Sequence, residues 1–177
     1  MYQVPYAKRE LVKKELKGML EAKVIRPSMS SWASLITLVP KKDGGVRFSI
    51  GYRKLNAKVS FDAYPMPRVE EMFESIGAAE VISTLDLAKG CWQITINHSS
   101  QEKTTFATPF ELFEFEVMPF GLHNAPAIFQ RLMNHTLQDC QSFARACIDD
   151  IVIFSQSWEE HFGYLGEMFR HLAEAGL

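Results

Sequence analysis

The sequence predicts an α+β fold, because patterns typical of helices and of strands are interspersed along its 177 residues. Three segments, residues 8–22, 124–140 and 158–175, space their apolar side chains as amphipathic helices do. Short β-rich runs separate these segments, and the Asp-Gly pair at 43–44 is typical of a hairpin turn. With 47% hydrophobic residues, the chain can bury one sizeable core or two small lobes.

The N-terminal elements are a helix and a hairpin. Residues 8–22 carry an apolar stripe among lysines, and Pro27 with the serines after it ends the helical pattern. Two β-rich runs follow, at 33–39 and 45–50. Lys41-Lys42-Asp43-Gly44 joins them, which predicts a hairpin with a lysine-rich tip.

The remaining elements are predicted from the same two periodicities. The two prolines of Tyr64-Pro65-Met66-Pro67 exclude a helix there, and Gly77 ends the helix that follows. Asn124 can cap the long helix that begins with it. Further helices are predicted at 68–76, 124–140 and 158–175, and further strands at 81–87, 92–96, 104–108, 112–117 and 144–154, the last interrupted by Asp149-Asp150.

Charge is segregated along the chain. Residues 1–60 hold 13 Lys and Arg and 4 acids, a balance of +9, whereas residues 61–177 hold 6 and 17, a balance of −11. A basic lobe attracts phosphates, and an acidic remainder suits divalent cations. A basic helix that is merely solvated, with no partner, explains the first lobe equally well.

Cysteine usage and hydropathy indicate an intracellular protein. Cys91, Cys140 and Cys147 are odd in number and widely spaced, which disfavours a disulfide framework or a zinc site and fits a reducing compartment. No apolar run approaches the ~18 to 20 residues that a membrane span needs. Residues 1–9 also lack the apolar core of a signal peptide, so we expect no membrane partner and a cytoplasmic or nuclear location.

Three acids stand in unusually apolar surroundings. Asp149-Asp150 interrupts an apolar strand pair, and Asp86 is the one charged residue of its predicted strand. Buried carboxylates are costly unless something positive offsets them, so convergence around two Mg²⁺ ions about 3.5–4 Å apart is one interpretation. The alternative is that Asp149-Asp150 is a common turn dipeptide and that Asp86 caps a helix. Successive strand residues point to opposite faces of a sheet. At most one of the two adjacent acids is therefore expected to bind the metal ions directly, and we favour Asp149.

Basic and aromatic side chains are candidates for nucleotide contacts. Lys41, Lys42 and Arg47 flank the predicted hairpin and could clamp a triphosphate, or simply blunt the sheet edge against pairing. Trp92 and Phe120 could stack on bases, although aromatic residues in apolar runs more often belong to a core.

The order of short motifs resembles the reverse transcriptase of Ty3/Gypsy-type long-terminal-repeat retrotransposons over nearly the whole chain. Each motif alone is weak, but the ordered series is specific. In succession the motifs are Ser31-Trp32-Ala33-Ser34, Lys41-Lys42-Asp43-Gly44, Tyr52-Arg53-Lys54-Leu55-Asn56, Asp62-Ala63-Tyr64-Pro65-Met66-Pro67-Arg68, Ser83-Thr84-Leu85-Asp86-Leu87, Trp92-Gln93-Ile94, Lys103-Thr104-Thr105-Phe106, Met118-Pro119-Phe120-Gly121-Leu122, Asn124-Ala125-Pro126, Phe129-Gln130-Arg131-Leu132-Met133 and Ile148-Asp149-Asp150-Ile151-Val152-Ile153-Phe154-Ser155.

The resemblance implies a right-hand polymerase, with an antiparallel palm sheet that carries helices on one face. Residues 1–60 and 90–120 would form the fingers, and residues 61–90 and 121–177 the palm. The resemblance also leads us to expect that the chain ends before the primer grip, thumb, connection and ribonuclease H domains. The implied activity is RNA-directed DNA polymerisation of dNTPs on a primed RNA or DNA template, and the sequence leaves the oligomeric state open.

The resemblance also assigns roles to individual residues. Asp86, Asp149 and Asp150 match the catalytic, metal-binding acids, which would hold two Mg²⁺ ions or Mn²⁺ in their place. Cys91 matches a position, usually Tyr or Phe, that packs against the incoming sugar and excludes a 2′-hydroxyl. The residues that match nucleotide-binding positions are Lys41, Lys42, Arg47, Leu87, Cys91, Phe120 and Gly121.

Four residues depart from the family pattern. Besides Cys91, Cys147 replaces a Tyr, Gly51 replaces an Asp, and Glu111 replaces a Gly. These departures leave open a second hypothesis, a catalytically inactive retroelement remnant that at most binds nucleic acid. A metal-dependent hydrolase on an unrelated α/β fold is a third, and it requires the motif order to be coincidental.

Overall fold

A computed structural model describes residues 4–40, 46–77, 79–147 and 150–177 of the chain. It divides into two compact units, and each unit contains one β-sheet. Unit 1 comprises Met1–Phe61 and Ile94–Ala125, and unit 2 comprises Asp62–Gln93 and Pro126–Leu177. None of the helices within the described ranges is long and apolar enough to span a bilayer.

Helices and strands are mixed along the chain without regular alternation, which is consistent with an α+β fold. The helices are α1 (Arg9–Glu21), α2 (Arg53–Asn56), α3 (Val69–Ile76), α4 (His98–Gln101), α5 (Ala125–Thr136) and α6 (Trp158–Ala175). The strands are β1 (Ile25–Pro27), β2 (Ser34–Pro40), β3 (Val46–Gly51), β4 (Val81–Asp86), β5 (Phe106–Ala107), β6 (Leu112–Phe115), β7 (Ala144–Cys147) and β8 (Asp150–Ser155).

Unit 1 contains a five-stranded sheet in the order β1-β6-β5-β2-β3. The β2–β3 pair is antiparallel from Leu35↔Gly51 to Pro40↔Val46, which confirms the predicted hairpin, while its tip lies outside the described residues. Phe106 is fully buried at the centre, with ring centroids 5.5 Å from Phe115 and 5.9 Å from Phe48. This aromatic cluster accounts for much of the apolar burial in the unit.

A buried carboxylate ties two strands of this sheet together. Glu114 of β6 is 7% exposed and opposite Arg26 of β1, whose Nε donates to Oε1 at 2.8 Å. The Ser28 hydroxyl donates to Oε2 at 2.6 Å. Burial acts to raise the pKa of Glu114, but the Ser28 hydrogen bond and the Arg26 guanidinium outweigh it and hold that pKa below its usual range.

Unit 2 contains an antiparallel three-stranded sheet in the order β4-β8-β7. Ile151 and Ile153 of β8 are fully buried, as alternate residues of a strand covered on one face should be. Helix α6 packs against this face and contributes Met168 and Leu172 to the core. Helix α5 is joined to β7, since Gln130 Nε2 donates to the Ala146 carbonyl at 3.0 Å.

A buried histidine fastens α6 to both long strands of this sheet. His161 is fully buried, with Nε2 2.8 Å from Ser83 Oγ and Nδ1 2.9 Å from Ser155 Oγ. The Ser155 hydroxyl donates its single proton to the Ser157 carbonyl, so it accepts from Nδ1–H. Nε2 pairs with the Ser83 hydroxyl, so both ring nitrogens have a hydrogen-bond partner.

Two predicted elements differ in the structure: one predicted strand is not formed, and one predicted helix is shorter. A strand at 92–96 was expected, but Gly90–Gln93 forms a 3-10 turn and Thr95 makes only an isolated bridge with Val117. The chain passes from unit 2 to unit 1 at 93–94, so this run cannot join one sheet throughout. The helix predicted at 124–140 ends at Thr136, and a 3-10 turn at Gln138–Cys140 follows.

Replacement of the buried carboxylate is expected to weaken unit 1. Glu114→Gln should lower the free energy of unfolding by about 1–3 kcal/mol, because it weakens two hydrogen bonds and leaves Arg26 less well paired. The pKa of Glu114 is lower in the folded chain than in the unfolded chain. The greater stability of the wild type over Glu114→Gln is therefore fully present above the pKa of the unfolded state, and it disappears as the pH falls through the pKa of the folded state. Urea unfolding between pH 7 and pH 2 measures this, with Glu116→Gln as the control for a weaker contact to Arg26.

Removal of the imidazole nitrogens is expected to destabilise unit 2. His161→Phe should cost about 1–3 kcal/mol, because the Ser83 hydroxyl loses its hydrogen-bond partner in a largely buried site. Adding Ser83→Ala should recover part of that loss, since an unsatisfied polar group is then removed. Thermal unfolding of the single and double variants tests this coupling. Additive losses, or equal losses in exposed His135→Phe, would contradict it.

Candidate active site

The structure brings two of the predicted acids face to face. Asp86 is the last residue of β4, Asp150 is the first residue of β8, and the two are directly opposed in the antiparallel ladder. Opposed residues share one face of a sheet, with Cβ atoms about 4.5–5.5 Å apart. Both side chains are exposed. Two carboxylates far apart in sequence therefore meet at one end of the sheet.

The acids lie on the sheet face that points away from α6. Ser83 and Ser155 reach His161 from the covered face, so Asp86 projects from the opposite one, together with Thr84 and Ile82. Ile82 is 51% exposed. Among the described residues, no basic side chain forms an ion pair with Asp86 or Asp150. Like charges this close favour a cation between them.

The third predicted acid, Asp149, lies outside the described residues. Our preference for Asp149 over its neighbour therefore stays a prediction. The backbone of Cys147 is opposite Asp150 in the β7–β8 ladder, so the position that departs from the family pattern borders the acidic pair.

Two buried polar residues hold helices against the sheet that carries the acids, and neither was assigned a role from the sequence. His161 holds β4 and β8 against α6, as described above. Gln130 is fully buried on α5 and hydrogen-bonds both Asn134 and the carbonyl of Ala146, the residue before Cys147. A polar residue within the apolar stripe of a predicted helix was the available signal, because such residues persist in cores only when hydrogen-bonded.

The predicted nucleotide residues of unit 2 follow Asp86 closely along the chain. Leu87 is 9% exposed, and Cys91 is 8% exposed in the 3-10 turn. Lys89 adopts a positive φ of 55° between them, and its Nζ lies 4.4 Å from the centre of the Trp92 ring. A tight, mostly buried turn thus follows the acid, and it presents a small side chain at position 91.

Three of the predicted nucleotide residues are described in unit 1. Arg47 is exposed on β3, opposite Val39, and Phe120 is 49% exposed. Gly121 has a φ of +94°, which side chains other than glycine's rarely adopt, and its carbonyl accepts from Asn56 Nδ2 at 2.9 Å. Lys41 and Lys42 lie outside the described residues.

Comparison with known proteins identifies relatives of the whole chain. Residues 39–177 match the reverse transcriptase (RNA-dependent DNA polymerase) family. The chain is 40% identical over 172 residues to the Pol polyprotein of transposon 297 from Drosophila melanogaster, covering 94% of this chain and 16% of that protein. For transposon gypsy of the same organism the identity is 34%, with 95% and 17% covered. The chain therefore spans about a sixth of these relatives.

Solved structures share the fold over nearly the full chain. The prototype foamy virus protease–reverse transcriptase CSH mutant superposes with a TM-score of 0.89 at 25% identity, covering 99% of this chain and 24% of that one. The foamy viral enzyme in complex with an RNA/DNA hybrid gives a TM-score of 0.85 at 25% identity, with the same coverage. These matches confirm the predicted α+β reverse transcriptase fold.

The family match and the transposon relatives also confirm the resemblance on which the sequence interpretation was built. Reverse transcriptases generally use divalent metal ions, and the opposed carboxylates of Asp86 and Asp150 supply the oxygen ligands that such ions prefer. The matched region covers all of unit 2 and part of unit 1, and it includes the acid-bearing strands. This chain belongs to the reverse transcriptase family, in the group of Ty3/Gypsy-type retroelements.

Proposed function

We propose that this chain is the fingers and palm portion of a retrotransposon RNA-directed DNA polymerase, which joins a dNTP to the 3′-hydroxyl of a primer. In this proposal unit 1 is the fingers and unit 2 is the palm. The observation that carries the proposal is the direct pairing of Asp86 with Asp150 at the end of the three-stranded sheet. Membership of the reverse transcriptase family supplies the chemical class.

The three acids are proposed to hold two Mg²⁺ ions, for which Mn²⁺ can substitute. Asp86, Asp149 and Asp150 suffice as ligands, because Mg²⁺ is held by few carboxylates and keeps positions for substrate oxygens. When bound, two such metal ions stabilise the charge on the attacking and leaving oxygens of an in-line phosphoryl transfer. The contribution of the protein is to keep carboxylates from two strands at one place before substrate arrives.

The reaction exchanges one bond to phosphorus for another. The primer 3′-oxygen loses its proton to solvent and forms a bond to the α-phosphorus of the dNTP. The bond from that phosphorus to the bridging oxygen breaks, and pyrophosphate leaves with the electron pair. Arg47, with Lys41 and Lys42, is proposed to hold the triphosphate, since a guanidinium offers two parallel donors to phosphate oxygens.

The other proposed contacts concern the sugar, the base and the template. Phe120 and Gly121 are proposed to contact nucleotide and template, and Leu87 and Cys91 to contact the incoming nucleotide. The template–primer can be RNA or DNA, as the foamy viral enzyme has been solved with double-stranded DNA and with an RNA/DNA hybrid. The basic residues 1–60 suit such a partner. We place the protein inside the cell, in the cytoplasm or nucleus, as retroelement replication requires.

The alternative is an inactive remnant that at most binds nucleic acid. Two residues that differ from the family pattern, Gly51 and Glu111, support it, because the backbone conformation does not explain either change. At Gly51 an added Cβ would lie 3.5 Å from the Leu35 carbonyl oxygen, an ordinary contact, so the backbone there does not require glycine. Glu111 has no positive φ, so its backbone does not call for the usual glycine. Neither change is explained by space or strain, and the assay below separates the two functions.

Loss of any one acid is expected to abolish DNA synthesis. Primer extension on poly(rA)·oligo(dT) with dTTP should fall at least about 100-fold in Asp86→Asn, Asp149→Asn and Asp150→Asn, because each removes a formal charge from the metal site. Asp139→Asn, an exposed acid at the opposite end of β7, is the matched control and should retain activity. Circular dichroism and thermal unfolding confirm that each variant is folded.

Two outcomes would count against the proposal. Extension that persists in Asp86→Asn or Asp150→Asn would rule out this site. A folded wild-type chain that extends no primer with either Mg²⁺ or Mn²⁺ would support the inactive remnant, and a gel-shift measurement on the same preparation would then show whether nucleic acid is bound.

The small residue at position 91 is expected to relax sugar selectivity. Cys91→Tyr should raise the ratio of kcat/KM for dTTP over UTP by about tenfold or more, because an aromatic ring beside the sugar would clash with a 2′-hydroxyl. Cys91→Ala keeps the position small and should leave the ratio near that of the wild type. The same ratio in all three proteins would show that residue 91 does not contact the sugar.

A further inference from the structure

Three potential metal ligands converge in unit 2 outside the acidic pair. Cys140 ends the 3-10 turn after α5, and Glu167 and His171 lie on α6. One donor atom from each residue lies within 4.8 Å of the other two. The wide spacing of the cysteines disfavoured a zinc site in the sequence, but the fold adds a histidine and a carboxylate to one of them.

The helix explains why two of these ligands share a direction. Glu167 and His171 are four residues apart, so they occupy one face of α6, and Oε1 lies 3.9 Å from Nε2. The Cys140 residue is fully buried, whereas the side chains of His171 and Glu167 are 14% and 42% exposed. The cluster is thus closed on the thiol side and open to solvent on the carboxylate side, which provides an entry path.

Two carboxylates and one guanidinium lie around the buried Cys140 thiol. Burial raises the pKa of Cys140, and the carboxylates of Glu167 and Asp139 raise it further, while Arg170 opposes them. Arg170 Nη2 lies 3.1 Å from His171 Nε2. A metal ion bound through that nitrogen would have to displace the guanidinium of Arg170. Its Nη1 donates to Glu174 at 2.8 Å and its side chain is 55% exposed, so the guanidinium can withdraw towards Glu174 without losing its partner.

We propose that Cys140, Glu167 and His171 form a binding site for a borderline-soft divalent transition-metal ion of the Zn²⁺ class, distinct from the proposed Mg²⁺ site. Sulfur and imidazole ligands select such ions, whereas Mg²⁺ prefers oxygen. Small side-chain rotations bring the three donors to the usual distances of about 2.0–2.3 Å, with water as a fourth ligand. Binding releases the thiol proton of Cys140 to solvent.

The position of the site indicates a structural role. Cys140 precedes β7 at its Ala144 end, whereas the acidic pair lies beside the other end of β7, at Cys147. An ion here would link the turn that joins α5 to β7 with helix α6, which covers the sheet. It would stabilise unit 2 without touching the reacting groups. The inference does not depend on polymerase activity.

Cobalt spectroscopy on the reduced full-length chain tests the site directly. CoCl₂ is titrated in an excess of MgCl₂, which occupies oxygen-only sites such as the Asp86–Asp150 pair. One equivalent of Co²⁺ is expected to produce a thiolate-to-cobalt charge-transfer band and the visible d–d bands of a four-coordinate ion. ZnCl₂ should then remove both bands, and one equivalent of Zn²⁺ should raise the temperature of unfolding.

Variants assign the bands to these residues. Cys140→Ser should abolish the charge-transfer band, and His171→Gln should weaken Co²⁺ binding at least about tenfold, since even outer-shell partners are worth 10–100-fold. The second change is at a partly exposed residue and keeps the thiol in place, so it tests the site even where Cys140→Ser fails to fold. Cys147→Ser and exposed His135→Gln are the matched controls.

Two results would overturn the proposal. One is the absence of a thiolate band in the wild-type chain under these conditions. The other is a band that survives His171→Gln at unchanged affinity, which would show that His171 is not a ligand, or a band that Cys147→Ser removes, which would show that a different thiol binds the ion.

Discussion

The geometry of the proposed active site depends on the register of a single antiparallel pair, β4 with β8. Six consecutive pairs run from Val81↔Ser155 to Asp86↔Asp150. The two acids meet because the whole ladder keeps this one register. A slip of one residue would turn the acidic side chains to the covered face and isoleucines to solvent. The pairing of the two acids and the burial of the core therefore require the same register.

The covered face of the sheet supports the exposed one. Ile151 and Ile153 are buried at alternate positions of β8, and His161 bonds to a serine on each of the two strands. Hydrophobic burial is not directional, so it can hold α6 against the sheet without defining a unique position. The two hydrogen bonds of the imidazole add that definition, because a displacement of α6 would leave the buried ring nitrogens without their partners.

Sequence patterns predicted most elements where one period dominated. The helix at 158–175 coincides with α6, and the β2–β3 hairpin was recognised from its turn residues. The alternation at 92–96 was misleading, since period-two spacing also occurs where a chain crosses between two units. Strand β1, only three residues long, was missed, because its pairing with β6 depends on partners nearly ninety residues away.

By itself the sequence determined the family, the α+β class and the approximate elements, because ordered motifs and local periodicity are properties of the linear chain. Only the tertiary structure decided that Asp86 faces Asp150, that His161 is shared by two serines, and that Cys140 lies beside Glu167 and His171. These contacts join segments distant in sequence, and packing and strand register set them. No local pattern encodes such a contact, since each partner looks ordinary within its own segment.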